Sequence, residues 1–273
     1  MTLFDAGAPA PASTGVRLVV AYDGTEFHGF AAQPEHRTVQ GVLVEAIEQA
    51  LRTTVDDFTA AGRTDAGVHA AGQVVSFRIP AGPGAALDPE RLRHVVNRRL
   101  GPEVVVRAAS LVTVGDPGDD SVAAAFDARR SACWRHYRYT IVNRPEPDPF
   151  LARHAWWVAE PLDLSLLRLA ADPFVGEHDF ASFCRKGPEG STTVRRVTES
   201  AWHDLGDGVL RYDIRATAFC WQMVRSIVGT LVDAGLGKRR PGDMLTILRA
   251  GDRNAAGTVA PPHGLCLWDV GYD

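Results

Sequence analysis

The sequence predicts an α+β fold of two β-α-β-β-α-β halves sharing a mainly antiparallel mixed sheet, and three observations carry that prediction. Period-two apolar runs and 3.6-period apolar stripes alternate along the chain in a definite order. A polar link, Gly115 to Ser121 (GDPGDDS), interrupts that order, which then repeats loosely. The 273 residues are 45% hydrophobic, ordinary for a globular chain with room for one large domain or two modest ones.

The elements follow in order. Val16 to Tyr22 alternates as a strand. Val39, Val42, Leu43, Ala46, Ile47, Ala50 and Leu51 then make one apolar helix face, with Thr38 placed as N-cap. Strands are predicted at Phe58 to Ala61 and Gln73 to Ile79. Asp88-Pro89 opens a second helix and Gly101-Pro102 closes it. Glu103 to Leu111 completes a ferredoxin-like unit. In the second half, strands are predicted at Trp134 to Val142, Val194 to Trp202, Val209 to Ala218 and Gly264 to Val270. Helices are expected at Leu162 to Ala171 and Gln222 to Ala234, the latter with Gly235 as C-cap. The expected divisions are a frayed tail over 1–14, a first half over 15–113, a link over 114–122 and a second half over 123–273.

Composition excludes several classes. No run approaches the roughly 20 apolar residues that span a bilayer, and MTLFDAGAPAPAST lacks the basic start and apolar run of a signal peptide. Cys133, Cys184, Cys220 and Cys266 are scattered, with no metal-ligand or disulfide-scaffold spacing, which fits a reducing cytoplasm. The formal net charge of -4 is locally inverted: Arg129, Arg130, Arg135, Arg138 and Arg144 occur with no acid among them. Trp134, Tyr137 and Tyr139 interleave with them, and Arg185, Lys186, Arg195 and Arg196 form a second basic group. Arginines among aromatics suit RNA, although any single cluster also suits a solvated face. The RNA-contacting candidates are Arg129, Arg135, Arg138, Arg195 and Arg196.

The segment that carries chemistry is Ala61-Gly62-Arg63-Thr64-Asp65-Ala66-Gly67-Val68-His69-Ala70, between two strands. Its two glycines let the backbone turn sharply. In an extended link Arg63 and Asp65 point to the same side. A guanidinium there can orient the carboxylate, and an oriented carboxylate serves as nucleophile or general base. A bare Arg-x-Asp is more often a surface hairpin whose Asp holds its own turn; the decapeptide as a whole is far more specific.

AGRTDAGVHA resembles the catalytic signature of the tRNA pseudouridine synthase family. Tyr22-Asp23-Gly24 with Gly29 and Thr38-Val39-Gln40 resembles the family's first strand, loop and helix. Phe126-x-Ala128-Arg129-x-Ser131-Ala132 leading to Tyr137-Arg138-Tyr139 resembles its central segment. Phe219-x-x-Gln222-Met223-Val224-Arg225-x-Ile227-Val228-Gly229 resembles its long helix, and Gly264-Leu265-x-Leu267 its closing strand.

The resemblance implies the pseudouridine synthase fold and an isomerase that converts uridine to pseudouridine in the anticodon stem-loop of tRNA (tRNA positions 38–40). It implies a homodimer, and neither metal nor nucleotide cofactor. Asp65 takes the place of the essential aspartate. Attack on the sugar, attack on the base and abstraction of a sugar proton all need a carboxylate against a cationic, sugar-like transition state. Arg63 is implied as the partner of Asp65, Tyr137 as the ring stacked on the flipped uracil, Arg225 as a second positive partner and Leu265 as an apolar wall. His69 reads as structural. Phe30-Ala31, Asp127 and Cys220-Trp221 depart from the family's usual residues. A non-catalytic RNA-binding module has no use for an acid in an RNA-facing motif. A glycosidase or hydrolase needs a second acidic catalyst, and no acid stands in an equally distinctive motif.

Overall fold

The computed structural model describes residues 4–5, 13–80, 86–113, 125–185, 187 and 190–272, so the expected link over 114–122 lies outside the described residues. Contacts divide the chain into two compact units, one of Met1–Ala132 with Tyr272–Asp273 and one of Cys133–Gly271. No helix among the described residues is long and apolar enough to cross a membrane.

The first unit contains β1 (Phe4–Asp5), β2 (Ser13–Tyr22), α1 (Val39–Leu51), β3 (Asp56–Ala60), β4 (His69–Pro80), β5 (Ala86–Leu87), α2 (Pro89–Leu100) and β6 (Val104–Val112). Its main strands lie in the order β6-β2-β4-β3, every neighbour antiparallel. Numbered along the chain as strands 1 to 4 of a β-α-β-β-α-β unit, they run 4-1-3-2, the ferredoxin-like arrangement. β1 pairs with β5, and β2 begins at Ser13, inside the segment expected to be a frayed tail. α1 buries Val39, Leu43, Ala46, Ile47 and Leu51, and Thr38 caps it by accepting the Gly41 N–H at 3.2 Å. α2 packs on α1 and is capped by Asp88, which accepts from Glu90 and Arg91 N–H. Gly101 closes α2 in an extended rather than a left-handed conformation, its N–H reaching the Asn97 carbonyl.

The second unit contains β7 (Trp134–Asn143), β8 (Trp156–Val158), α3 (Leu164–Ala171), β9 (Gly176–Asp179), β10 (Val194–Asp204), β11 (Val209–Ala216), α4 (Met223–Gly235), α5 (Asp243–Ala250) and β12 (Leu265–Gly271). The order β12-β7-β11-β10 repeats the 4-1-3-2 arrangement. β9 extends it antiparallel to β10. β8 runs parallel to β7 along Ile141–Asn143, beyond the reach of β12, and makes the sheet mixed. Tyr139, Ile141, Tyr212 and Ile214 are fully buried on one face.

Two details of α4 correct the sequence reading. Gln222 is its N-cap, in a left-handed conformation, rather than its first helical residue. Gly235 is the last helical residue, and the left-handed turn falls at Gly237. Gly235 packs closely on α3, where a Cβ would stand 2.9 Å from Leu167 Cδ2 and the leucine side chain would have to shift.

Candidate active site

The loop that carries Asp65 connects β3 to β4, and its backbone is fastened from several sides. Within it, Val68 N–H reaches the Asp65 carbonyl at 3.1 Å, and Gly67 takes the positive φ (75°) that this turn needs at its third residue. Gln73, fully buried on β4, clasps Gly62 from both sides: its Nε2 donates to the Gly62 carbonyl at 2.7 Å and its Oε1 accepts the Gly62 N–H at 3.4 Å. Thr64 is buried and shares a 2.8 Å hydrogen bond with the Tyr22 hydroxyl.

Residues 23–30 back this loop. Phe30 N–H donates to the Thr64 carbonyl at 3.0 Å, and Gly67 N–H to the Phe27 carbonyl at 3.4 Å. A Cβ on Gly24 would lie 2.0 Å from the Val68 carbonyl oxygen, and one on Gly29 3.0 Å from the Thr64 carbonyl oxygen. Only glycine permits this approach of two backbones. The carbonyls of Gly29 and Phe30 in turn receive the first N–H groups of α1, from Val39 and Gln40. His69 is buried, its Nδ1 accepting the Gly24 N–H at 3.0 Å and standing 3.1 Å from Asp23 Oδ1. Asp65 is half-buried and Arg63 exposed.

The second unit places the other candidates around Tyr139. Tyr137 and Tyr139 share a face of β7, and Tyr137 is buried with its ring edge-on to Phe219, centroids 5.0 Å apart. Leu265, buried, pairs with Tyr139 across β12. Gly264 lies so close under the Tyr139 ring that a Cβ would meet it at 2.6 Å. Arg225 is half-buried on α4, donating from Nε to the Ala260 carbonyl at 2.7 Å. Burial pushes the Tyr139 hydroxyl far above its ordinary pKa, against the opposing field of the Arg225 guanidinium. That hydroxyl donates to the Pro261 carbonyl at 2.8 Å. The helix face of Arg225 and Gly229 is not a solvated one. A Cβ on Gly229 would fall 1.8 Å from the Thr258 carbonyl oxygen, so residues 258–260 lie directly on α4.

The RNA-contacting candidates divide. Arg129 and Arg196 are exposed. Arg138 and Arg195 are half-buried, Arg138 donating to Asp213 at 2.9 Å and stacking on Trp268. Arg135 is buried and donates to the Thr217 carbonyl at 2.8 Å, in phase with Tyr137 and Tyr139. The alternation of β7 predicts that inward position, and the count of arginines obscured it. Asp127, one of the departures, accepts the N–H groups of Arg129 and Arg130 and so shapes the turn that presents them. Sequence reasoning missed Gln73 and Thr64, which hold the loop; Gln73, polar in an apolar strand, carried a signal, whereas Thr64, set between Arg63 and Asp65, carried none.

A sequence model of the family described as tRNA pseudouridine synthase matches residues 18–114 and 170–273. The chain is 39% identical to tRNA pseudouridine synthase A of Leifsonia xyli subsp. xyli, covering 95% of this chain and 92% of that one. It is 40% identical to the protein of that name from Brevibacillus brevis, over 94% and 99% of the two chains. The Bacillus subtilis protein is 38% identical, again over 94% and 99%.

Proposed function

The chain belongs to the tRNA pseudouridine synthase family, and from that premise we propose that it isomerises uridine to pseudouridine in tRNA with Asp65 as its catalytic carboxylate. The observation that carries this assignment is the fastening of the Asp65 loop by Gln73, Thr64, Phe27, Phe30 and the two close-packed glycines. A reacting group must be held within fractions of an ångström, and a loop tied by backbone hydrogen bonds achieves this where a solvated turn does not.

The reaction breaks the N-glycosidic bond, turns the uracil and rejoins it through carbon, so it is redox-neutral and consumes no second substrate. Asp65 stands against the cationic sugar of the transition state. Tyr137 stacks on the extruded uracil, an interaction worth about 1–3 kcal/mol that offsets part of the unstacking. Leu265 gives the base an apolar wall. Arg63, at the exposed edge of the loop, and Arg225 supply positive charge, and Arg63 fills the space the base vacates. Arg129 and Arg196 contact phosphates, with Arg138 and Arg195 contributing where they reach the surface; buried Arg135 is left out of that path. The substrate region is the anticodon arm, the working form a homodimer, and the compartment the cytoplasm.

The test is an unmodified tRNA transcript incubated with purified protein and no added cofactor, pseudouridine being mapped by chemical derivatisation. Wild-type protein is expected to modify uridines of the anticodon arm. Asp65→Asn, nearly isosteric, is expected to abolish modification while the thermal transition and tRNA affinity stay close to wild type. An active Asp65→Asn removes the aspartate from the chemistry.

A further inference from the structure

Among the described residues, the chemistry above leaves one buried carboxylate unused. Asp213 stands on β11, 2% exposed, directly opposite Arg138 of β7. Its Oδ1 accepts from His136 Nε2 at 2.8 Å and from Arg138 Nε at 2.9 Å. Its Oδ2 accepts from Arg211 Nε at 2.5 Å, with His203 Nε2 at 3.5 Å. His136 and Arg138 are the residues immediately before and after Tyr137. Strand alternation sends their side chains to the face opposite the tyrosine ring, so one carboxylate oxygen grips β7 on both sides of Tyr137. The Arg138 guanidinium also lies 3.7 Å from the centre of the Trp268 ring on β12, the strand that begins at Leu265.

A buried ion cluster is a poor way to gain stability, because apolar side chains of similar volume hold two strands as well or better. Its distinctive property is direction: charge-assisted hydrogen bonds fix strands relative to one another more narrowly than apolar packing does. We infer that Asp213 is a positioning residue, holding the backbone of Tyr137 through His136 and Arg138 so that the ring keeps the place in which it receives uracil. The inference rests on the reading of Tyr137 given above. Burial alone would raise the Asp213 pKa, but the hydrogen bonds from His136, Arg211 and Arg138 prevail and hold it well below the usual carboxylate range. The grip therefore persists at neutral and mildly acidic pH.

A double-mutant cycle on the full chain tests this, with single-turnover pseudouridine formation and tRNA affinity measured separately. Asp213→Asn is expected to slow the reaction about tenfold at nearly unchanged affinity. Tyr137→Leu is expected to slow it about 10- to 100-fold. The double variant should be no slower than Tyr137→Leu alone, since nothing remains to be positioned. Tyr212→Phe, which loses a 2.7 Å hydrogen bond to Ser200 one residue from Asp213, should melt earlier yet react at the wild-type rate. Additive rate losses, an unchanged Asp213→Asn rate, or an equal loss in Tyr212→Phe each overturn the inference. A wild-type rate for Tyr137→Leu overturns the reading of Tyr137 and the inference with it. Should Asp213→Asn fail to fold, Arg138→Lys, which keeps the charge and loses the Nε donor, takes its place in the same cycle.

Discussion

In the first unit the candidate catalytic group rides on a loop whose backbone is tied down: Thr64 and Gly67 are bonded to Phe30 and Phe27, and Gly24 and Gly29 let the chains meet. In the second unit Tyr137, Leu265 and Arg225 sit on regular elements and are oriented by single contacts: the Tyr137 ring meets Phe219 edge-on, and the Arg225 guanidinium donates to the Ala260 carbonyl. A backbone-tied loop constrains every one of its residues, so its sequence becomes a compact string. A site spread over β7, α4 and β12 constrains single residues far apart, and each resembles ordinary core.

The comparison can be broken at its glycines. Gly24→Ala puts a methyl group against the Val68 carbonyl, and Gly229→Ala puts one against that of Thr258. Gly24→Ala is expected to slow single-turnover modification more than about tenfold through displacement of Asp65. Gly229→Ala is expected to lower the thermal transition most, by overpacking worth about 1–3 kcal/mol. An unimpaired Gly24→Ala rate means the loop is not held by its neighbour. Tyr139→Phe removes the hydroxyl that donates to Pro261 and should destabilise by about 1–2 kcal/mol in denaturant titration, with Asp65 chemistry intact.

Arg129→Ala sharpens the comparison at the surface. It should weaken tRNA binding severalfold and reduce the slope of log affinity against log salt by just under one. An unchanged slope takes Arg129 off the RNA path. The smallest effect concerns His263, whose pKa is lowered by burial and, beyond an opposing hydrogen bond to Ala155, by the Arg225 and His154 charges. Unfolded protein therefore protonates this imidazole first, and its contribution to stability is lost as pH falls below the ordinary histidine range. His263→Gln should flatten the decline in melting temperature between about pH 7 and 5; an equally steep decline assigns that loss to other groups.

Much of this was legible in the residues. Thr38 and Asp88 announced α1 and α2, and the alternating runs announced the central strands of both units. The Asp65 loop announced itself as a motif, but not the reason for it, because Gly24 and Gly29 are explained only by a loop some forty residues downstream. β8 and β9, three and four residues long, carry too little period to read. α5, at eight residues, covers barely two turns. Gly235 was misassigned because a glycine that ends a helix and one that admits Leu167 look alike in a string. Asp213 escaped notice although it shares the phase of Arg211 and Arg215 on β11; a lone acid in a buried strand announces a cluster only once its partners are known.

The chain leaves the first unit after Ala132 and returns at Tyr272, whose ring lies 4.7 Å from the Arg17 guanidinium and whose hydroxyl donates to the Ala128 carbonyl. Phe126 flanks the same guanidinium at 5.3 Å. During ribosomal synthesis, then, the half that emerges earliest must wait for a residue translated after the whole of the other half before this stack can close. A nascent chain halted anywhere before residue 272 holds Arg17 without one of its two rings.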